Sequence, residues 1–273
     1  MAERRLITGF SNPLVKFLRS LREKKLRKRE GKFLAEGLRL LTDARASGLL
    51  PEMLVMASHR PPHPLLNALE QDVLAAGGEV IEMPEDILAK ITGKDNPQAV
   101  CGVFAEFDTS LTAIDRHSAD IWLVAQALRD PGNLGTMLRT GDAVGAGGLI
   151  LIDDCADPFS VEAGGAPMGA GVIHKNAPAP VVGVLAWRRP AGMAEPGQLV
   201  AASLREAVDY RGAPYAAPCF IMVGNESRGL PEEYEMACDL RVTMPMRGRA
   251  DSLNAAVAGA VLAYEVLAGL DSK

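Results

Sequence analysis

Apolar and polar positions follow two regimes along the chain. Between residues 33 and 107, Phe33–Ala35 is a short apolar stretch, and the runs at Met53–Ala57, Glu79–Met83 and Val100–Phe107 predict strands. Between them, GLRLLTDARASG predicts a helix closed by Gly48, and helical spacing recurs near 64–76 and 85–91. Ahead of these, residues 13–30 (PLVKFLRSLREKKLRKRE) set Leu14, Phe17, Leu18, Leu21 and Leu26 near helical spacing, predicting one amphipathic helix. Residues 108–120 (DTSLTAIDRHSAD) are polar and poorly periodic, a linker.

Beyond the linker the apolar runs become continuous. IWLVAQA, LILID, QLVAAS, CFIMVG and DLRVTMP predict strands, while LGTMLRTGDAVG, PVVGVLAWRR and the terminal SLNAAVAGAVLAYEVLAGL predict helices. Strands without a polar face alternating with helices imply a mostly parallel sheet covered on both sides. The expected organisation is therefore α/β, with a small first domain over 1–108, a linker over 109–119 and a second domain over 120–273.

Composition narrows the functional classes. The chain is 48% hydrophobic and 23% charged, enough for a real core. No apolar run is long enough to span a bilayer, and the start MAERRLITGFSNP lacks a secretory signal, so no membrane partner and a cytoplasmic setting are expected. The four cysteines form no C-x-x-C pair, and His59 and His63 flank a Pro pair without a third ligand, so no metal is expected. The net charge of −5 is unevenly spread: residues 1–45 carry 13 Lys and Arg against 5 Asp and Glu. Such an arm is either a solvated helix face or a phosphate-binding surface.

Three loops follow strands in this second half and carry more than turn chemistry. In ALRDPGNLGTMLRTG, Asn133 reads as a helix N-cap and Arg139 lies one to two turns in, where structure alone makes it solvent-exposed. In GNESRGLP, Gly224 at the strand end admits close approach to backbone, Gly229 permits a reversal, and Glu226 alone reads as a cap. In MPMRGRADSLN, Ser252 reads as the N-cap of the last helix, while Asn254 in its first turn needs a polar partner. No P-loop, dinucleotide fingerprint or nucleophile elbow is present.

Together, NLGTMLRTGDAVGAGGLIL, IMVGNESRGLP and MPMRGRADSLNAAVAGAVLAYE resemble the three ordered motifs of the SpoU/TrmH RNA ribose methyltransferases, within the SPOUT superfamily. SNPLVKFLRSLREKKLRKREGKFLAEGLRLL is similar to the family's N-terminal RNA-binding module, and AASLREAVDYRGAPYAAPCFIMVGNE also matches, so the likeness covers nearly the whole chain.

The resemblance implies a SPOUT-type α/β-knot catalytic domain with a C-terminal trefoil knot, preceded by a small α/β RNA-binding domain. It implies a homodimer formed through the C-terminal domain. The implied reaction moves a methyl group from S-adenosyl-L-methionine to a ribose 2′-hydroxyl of ribosomal or transfer RNA. Arg139 would act on the ribose, with Asn133 and Asn254 near it, Glu226 orienting the cluster and Ser252 supporting it. A guanidinium is a poor base, so Arg139 is expected to anchor a phosphate and stabilise developing alkoxide charge. Similarity points to Ala202, Gly224, Met244 and Leu253 for the cofactor. For RNA, the basic arm supplies Lys16, Arg19, Lys24, Lys25, Arg27, Lys28 and Lys32.

The chain departs from the family pattern at Gly165 and Pro167, where an Arg and a Ser are common, at Ser227 for Gly, and at Ala255-Ala256 for Val-Ser. The rival reading is a non-catalytic RNA-binding protein on the same scaffold; a Rossmann-type dehydrogenase is a distant third.

Overall fold

The computed structural model describes residues 4–107, 115–161, 163, 182–185 and 197–272. They form two compact units. The first runs to Phe107 and takes in Phe159–Val161 and Ala163; the second comprises Asp115–Pro158 and the described residues from 182 onward. Phe159 therefore leaves the 120–273 segment to pack in the first unit, its ring 4.9 Å from that of Phe33 and 5.2 Å from that of Phe107. Positions Gly165 and Pro167 lie outside the described residues.

The first unit is built on β1 (Arg5–Leu6), β2 (Lys32–Glu36), β3 (Met53–Ala57), β4 (Glu79–Met83) and β5 (Val100–Ala105), in the spatial order β1-β4-β3-β5-β2. β1, β4 and β3 are parallel; β5 is antiparallel to both β3 and β2. Successive side chains of a strand face opposite ways, and both faces are covered. Val55 joins Val15, Leu18, Ile87 and Ile91 from α1 (Pro13–Ser20) and α5 (Glu85–Thr92). Leu54 and Met56 join Leu41, Leu69 and Val73 from α3 (Leu38–Ala46) and α4 (Pro64–Ala75).

The basic segment is not the single helix expected over 13–30. It breaks after α1, and α2 (Lys24–Glu30) follows as a separate helix. Asn12 caps α1 by accepting from Leu14 N at 2.9 Å. Arg27 turns inward to meet the carbonyls at the break, its Nη1 donating to Leu21 O at 2.8 Å and Arg22 O at 2.6 Å.

The second unit holds a seven-stranded sheet in the order β10-β12-β9-β11-β6-β7-β8, every neighbouring pair parallel. Its strands are β6 (Ile121–Gln126), β7 (Leu149–Ile152), β8 (Val182–Leu185), β9 (Gln198–Ala202), β10 (Val208–Asp209), β11 (Cys219–Val223) and β12 (Leu240–Thr243). β8 falls inside a segment whose spacing predicts a helix. Valines and Gly183 are poor helix formers, and the edge of β7 offers a pairing partner. α6 (Pro131–Ala143) and α8 (Ala255–Asp271) pack on each other and on the central strands, while α7 (Glu232–Ala237) brings Tyr234 to a cluster with Trp122, Val124, Ile150 and Met222. Among the described residues no helix is long and apolar enough to cross a membrane.

Candidate active site

The carboxyl ends of β9, β11 and β12 lie side by side, and the loops leaving them enclose a cleft of about 380 Å³. Ala202, Gly224, Met244 and Leu253 all line it, together with Val223, Leu230, Glu226 and Ser252. The four positions assigned to a cofactor, from three separate segments, thus share one wall.

Gly224 has a different reason for being glycine than sequence reasoning supplied. A Cβ there would overlap the backbone of Gly229 and Leu230, so the loop's own return path takes the space. The loop is closed by Gly229 N donating to Asn225 O at 2.9 Å, with Gly229 at φ 67°. Asn225 Oδ1 accepts from Ser227 N at 3.0 Å and Arg228 N at 3.2 Å. Its Nδ2 reaches back to the carbonyl of Ala127 at 2.8 Å, and Ala127 is held at φ 49°, a left-handed conformation costly for a residue with a Cβ. Sequence reading missed Asn225 as the tie between these two loops; an Asn next to a strand-ending Gly was the available signal.

Beside the cleft runs a chain of side-chain hydrogen bonds. Asn254 Nδ2 donates to Asn133 Oδ1 at 2.9 Å, and Asn133 Nδ2 donates to Glu226 Oε1 at 3.1 Å. The backbone N–H of Asp130 also points at Glu226 Oε1, at 3.3 Å. Burial pushes the Glu226 carboxyl up, but these donors favour its charged form and hold it below the usual glutamate range.

Both cap assignments change. Asp130, not Asn133, caps α6, its Oδ1 accepting from Asn133 N at 2.7 Å, so Asn133 sits inside the first turn with its side chain free for Glu226. Asn254, not Ser252, caps α8: its Oδ1 accepts from Ala256 N at 2.9 Å and Val257 N at 3.3 Å. Asn254 therefore serves helix and site with opposite ends of one amide. Ser252 is exposed on the cleft lining.

Arg139 is exposed on α6 and makes no hydrogen bond or ion pair among the described residues. Six residues beyond Asn133, it lies about 9 Å further along the helix and on a different face. It is therefore outside the Asn254–Asn133–Glu226 chain.

Cys155 is pushed up from its ordinary value, and Cys101, Cys219 and Cys238 to about 12, in each case by burial first. No cluster of three metal-ligating side chains occurs among the described residues.

In the first unit, Lys16, Arg19, Lys24, Lys25 and Lys28 are exposed. Lys32 is half-buried and paired with Glu52 at 2.7 Å. Arg27 does not belong with them. It is 2% exposed, and its guanidinium is committed to backbone carbonyls, so it builds the turn rather than the basic surface.

Residues 120–264 match the SpoU rRNA Methylase family, and residues 12–102 match the MRM3-like substrate binding domain. The 23S rRNA (guanosine(2553)-2′-O)-methyltransferase RlmP of Bacillus subtilis is 30% identical over 265 residues, which cover 95% of this chain and 98% of that protein. An AdoMet-bound rRNA methyltransferase from Sinorhizobium meliloti superposes with a TM-score of 0.84 at 36% identity, over 98% of both chains. The SpoU methyltransferase AviRb from Streptomyces viridochromogenes, solved with AdoMet, gives 0.80 at 27% identity over 96% of this chain and 100% of its own. With one family covering its second half and relatives matching end to end, the chain belongs to the SpoU rRNA methylase family.

Proposed function

We propose that the protein is an S-adenosylmethionine-dependent RNA methyltransferase that methylates a ribose 2′-hydroxyl of ribosomal or transfer RNA. The observation that carries this reading is the meeting of three distant loops in one cleft, flanked by the Asn254–Asn133–Glu226 chain. The cleft fits the cofactor: its volume suits a nucleoside-sized ligand, and Ala202, Met244 and Leu253 give it apolar wall. Those residues with Gly224 would hold the cofactor, which when bound supplies a methyl group already activated for transfer.

What this chain must add is placement and charge control. Glu226 fixes the Asn133 amide, and Asn133 fixes that of Asn254, so polar groups next to the cleft are oriented before substrate arrives. Arg139, exposed and uncommitted, is suited to anchor a phosphate beside the target ribose and to stabilise negative charge developing on its oxygen. Recognition of the 2′-hydroxyl makes RNA rather than DNA the substrate.

The first unit is the RNA-holding module in this reading, with Lys16, Arg19, Lys24, Lys25 and Lys28 binding its phosphates. The trefoil knot and the homodimer belong to the same proposal. The position of β9 between two strands that both follow it supports the first. An exposed stripe of Val257, Val261 and Tyr264 along α8 supports the second. The substrate places the activity in the cytoplasm, alongside ribosomes.

The test is transfer of a tritiated methyl group to total unmodified RNA, followed by mapping of alkali-resistant linkages. Ribose methylation at a defined site is expected. Tight cofactor binding without transfer to any RNA would instead support the non-catalytic reading.

A further inference from the structure

Glu235 is one of two carboxylates in the cleft lining and, unlike Glu226, it is buried. It lies in the cleft lining, on α7, yet is only 6% exposed. Its Oε1 accepts from Ser203 Oγ at 2.7 Å, and the same hydroxyl accepts from Arg205 N at 3.0 Å. Its Oε2 is buried and accepts no hydrogen bond. The cation facing it is Arg205, at 3.7 Å with its side chain 62% exposed, and that guanidinium is equally close to Glu232.

A buried carboxylate oxygen without a donor costs free energy, and packing alone is served as well by an apolar side chain. The group also stands at a telling place. Ser203 directly follows Ala202 at the end of β9, so the Ser203–Glu235 bond ties α7 to the floor of the cleft. The other carboxylate of the lining, Glu226, is already engaged by Asn133, Asn225 and the N–H of Asp130. A nucleoside entering such a cleft gives up water around its ribose hydroxyls and its ring amine, each of which needs an acceptor.

We propose that Glu235 is a cofactor-contact residue: its Oε2 accepts a hydrogen bond from the nucleoside part of the bound cofactor, and Ser203 holds the carboxylate in place. This rests on reading the cleft as the S-adenosylmethionine site.

The test is calorimetric titration of the full-length chain with S-adenosylhomocysteine and with 5′-methylthioadenosine, which share the nucleoside. Glu235→Gln is expected to weaken both by about tenfold or more, the usual loss for a hydrogen bond to a charged acceptor. Ser203→Ala is expected to weaken both by a smaller factor. Ligand-free melting temperatures should not fall for Glu235→Gln, since it removes a buried charge. In methyl-transfer assays the loss should fall on KM for the cofactor and not on kcat. Unchanged affinity in Glu235→Gln, with tight binding by the wild type, overturns this assignment and leaves the reading of the cleft standing. A wild type that binds neither ligand overturns both. A variant that melts lower without ligand and loses RNA affinity as well has a structural fault, which also overturns the assignment.

Discussion

Asn254 and Asn133, 121 residues apart, share a side-chain hydrogen bond of 2.9 Å, and the second amide passes the link on to Glu226. Replacing Asn133 by Ala should break the chain in the middle. The expected cost is about 1 kcal/mol of stability but at least a tenfold loss of methyl transfer, read by denaturant melts and a tritium assay on the same preparations.

The two duties of Asn254 can be separated. Asn254→Asp keeps the acceptor that caps α8 and loses the donor toward Asn133. Its melting temperature should stay close to wild type while activity falls. Asn254→Ala loses both and should be destabilised by about 1 kcal/mol, the usual cost of removing a cap.

Arg139→Ala should abolish transfer and change cofactor affinity less than twofold, because Arg139 does not line the cleft. Its stability should move by less than about 0.5 kcal/mol, as for other exposed positions. A large loss of cofactor affinity by calorimetry would contradict the role assigned to it.

The arm divides into surface and scaffold. Neutralising Lys24, Lys25 and Lys28 should flatten the dependence of RNA affinity on salt, by about 0.7 in the log–log slope for each RNA phosphate that no longer meets a lysine. Arg27→Ala should instead lower the melting temperature, since it leaves the carbonyls of Leu21 and Arg22 without their donor. An unchanged slope in the lysine variant would reduce the arm to a solvated face.

Acidification tests the Glu226 assignment. Its carboxyl is held below the ordinary glutamate value in the folded chain, so the stabilisation is complete above that value. It is lost as pH falls through the lowered one. A carbon-13 titration of the Glu226 carboxyl should therefore show a midpoint below that of an exposed glutamate, and Asn133→Ala should raise it.

Much of this was readable from residue order, and the failures have physical causes. β3 and β4 match the residues expected of them because their short apolar runs are bounded by turn residues. β8 did not, because an apolar run of that length fits strand and helix equally until a neighbouring edge is known. A motif likeness singled out Asn133, Glu226 and Asn254, but their wiring was not legible. Nothing in the sequence says that Asp130 takes the cap and frees Asn133, or that Asn225 reaches Ala127. Nor does it say that one arginine in a basic run, Arg27, is spent on its own backbone. Such outcomes depend on which carbonyl or amide is left over after packing.

The spatial order β12-β9-β11 has a consequence for how the protein is made. When β9 leaves the ribosome, both strands destined to flank it are still unsynthesised, and the wall of the cleft is divided among all three. A product that ends before β12 therefore lacks one side of the pocket altogether. Ligand capture should begin abruptly during synthesis, only once the segment from β12 to the start of α8 has been released and has joined β9 and β11.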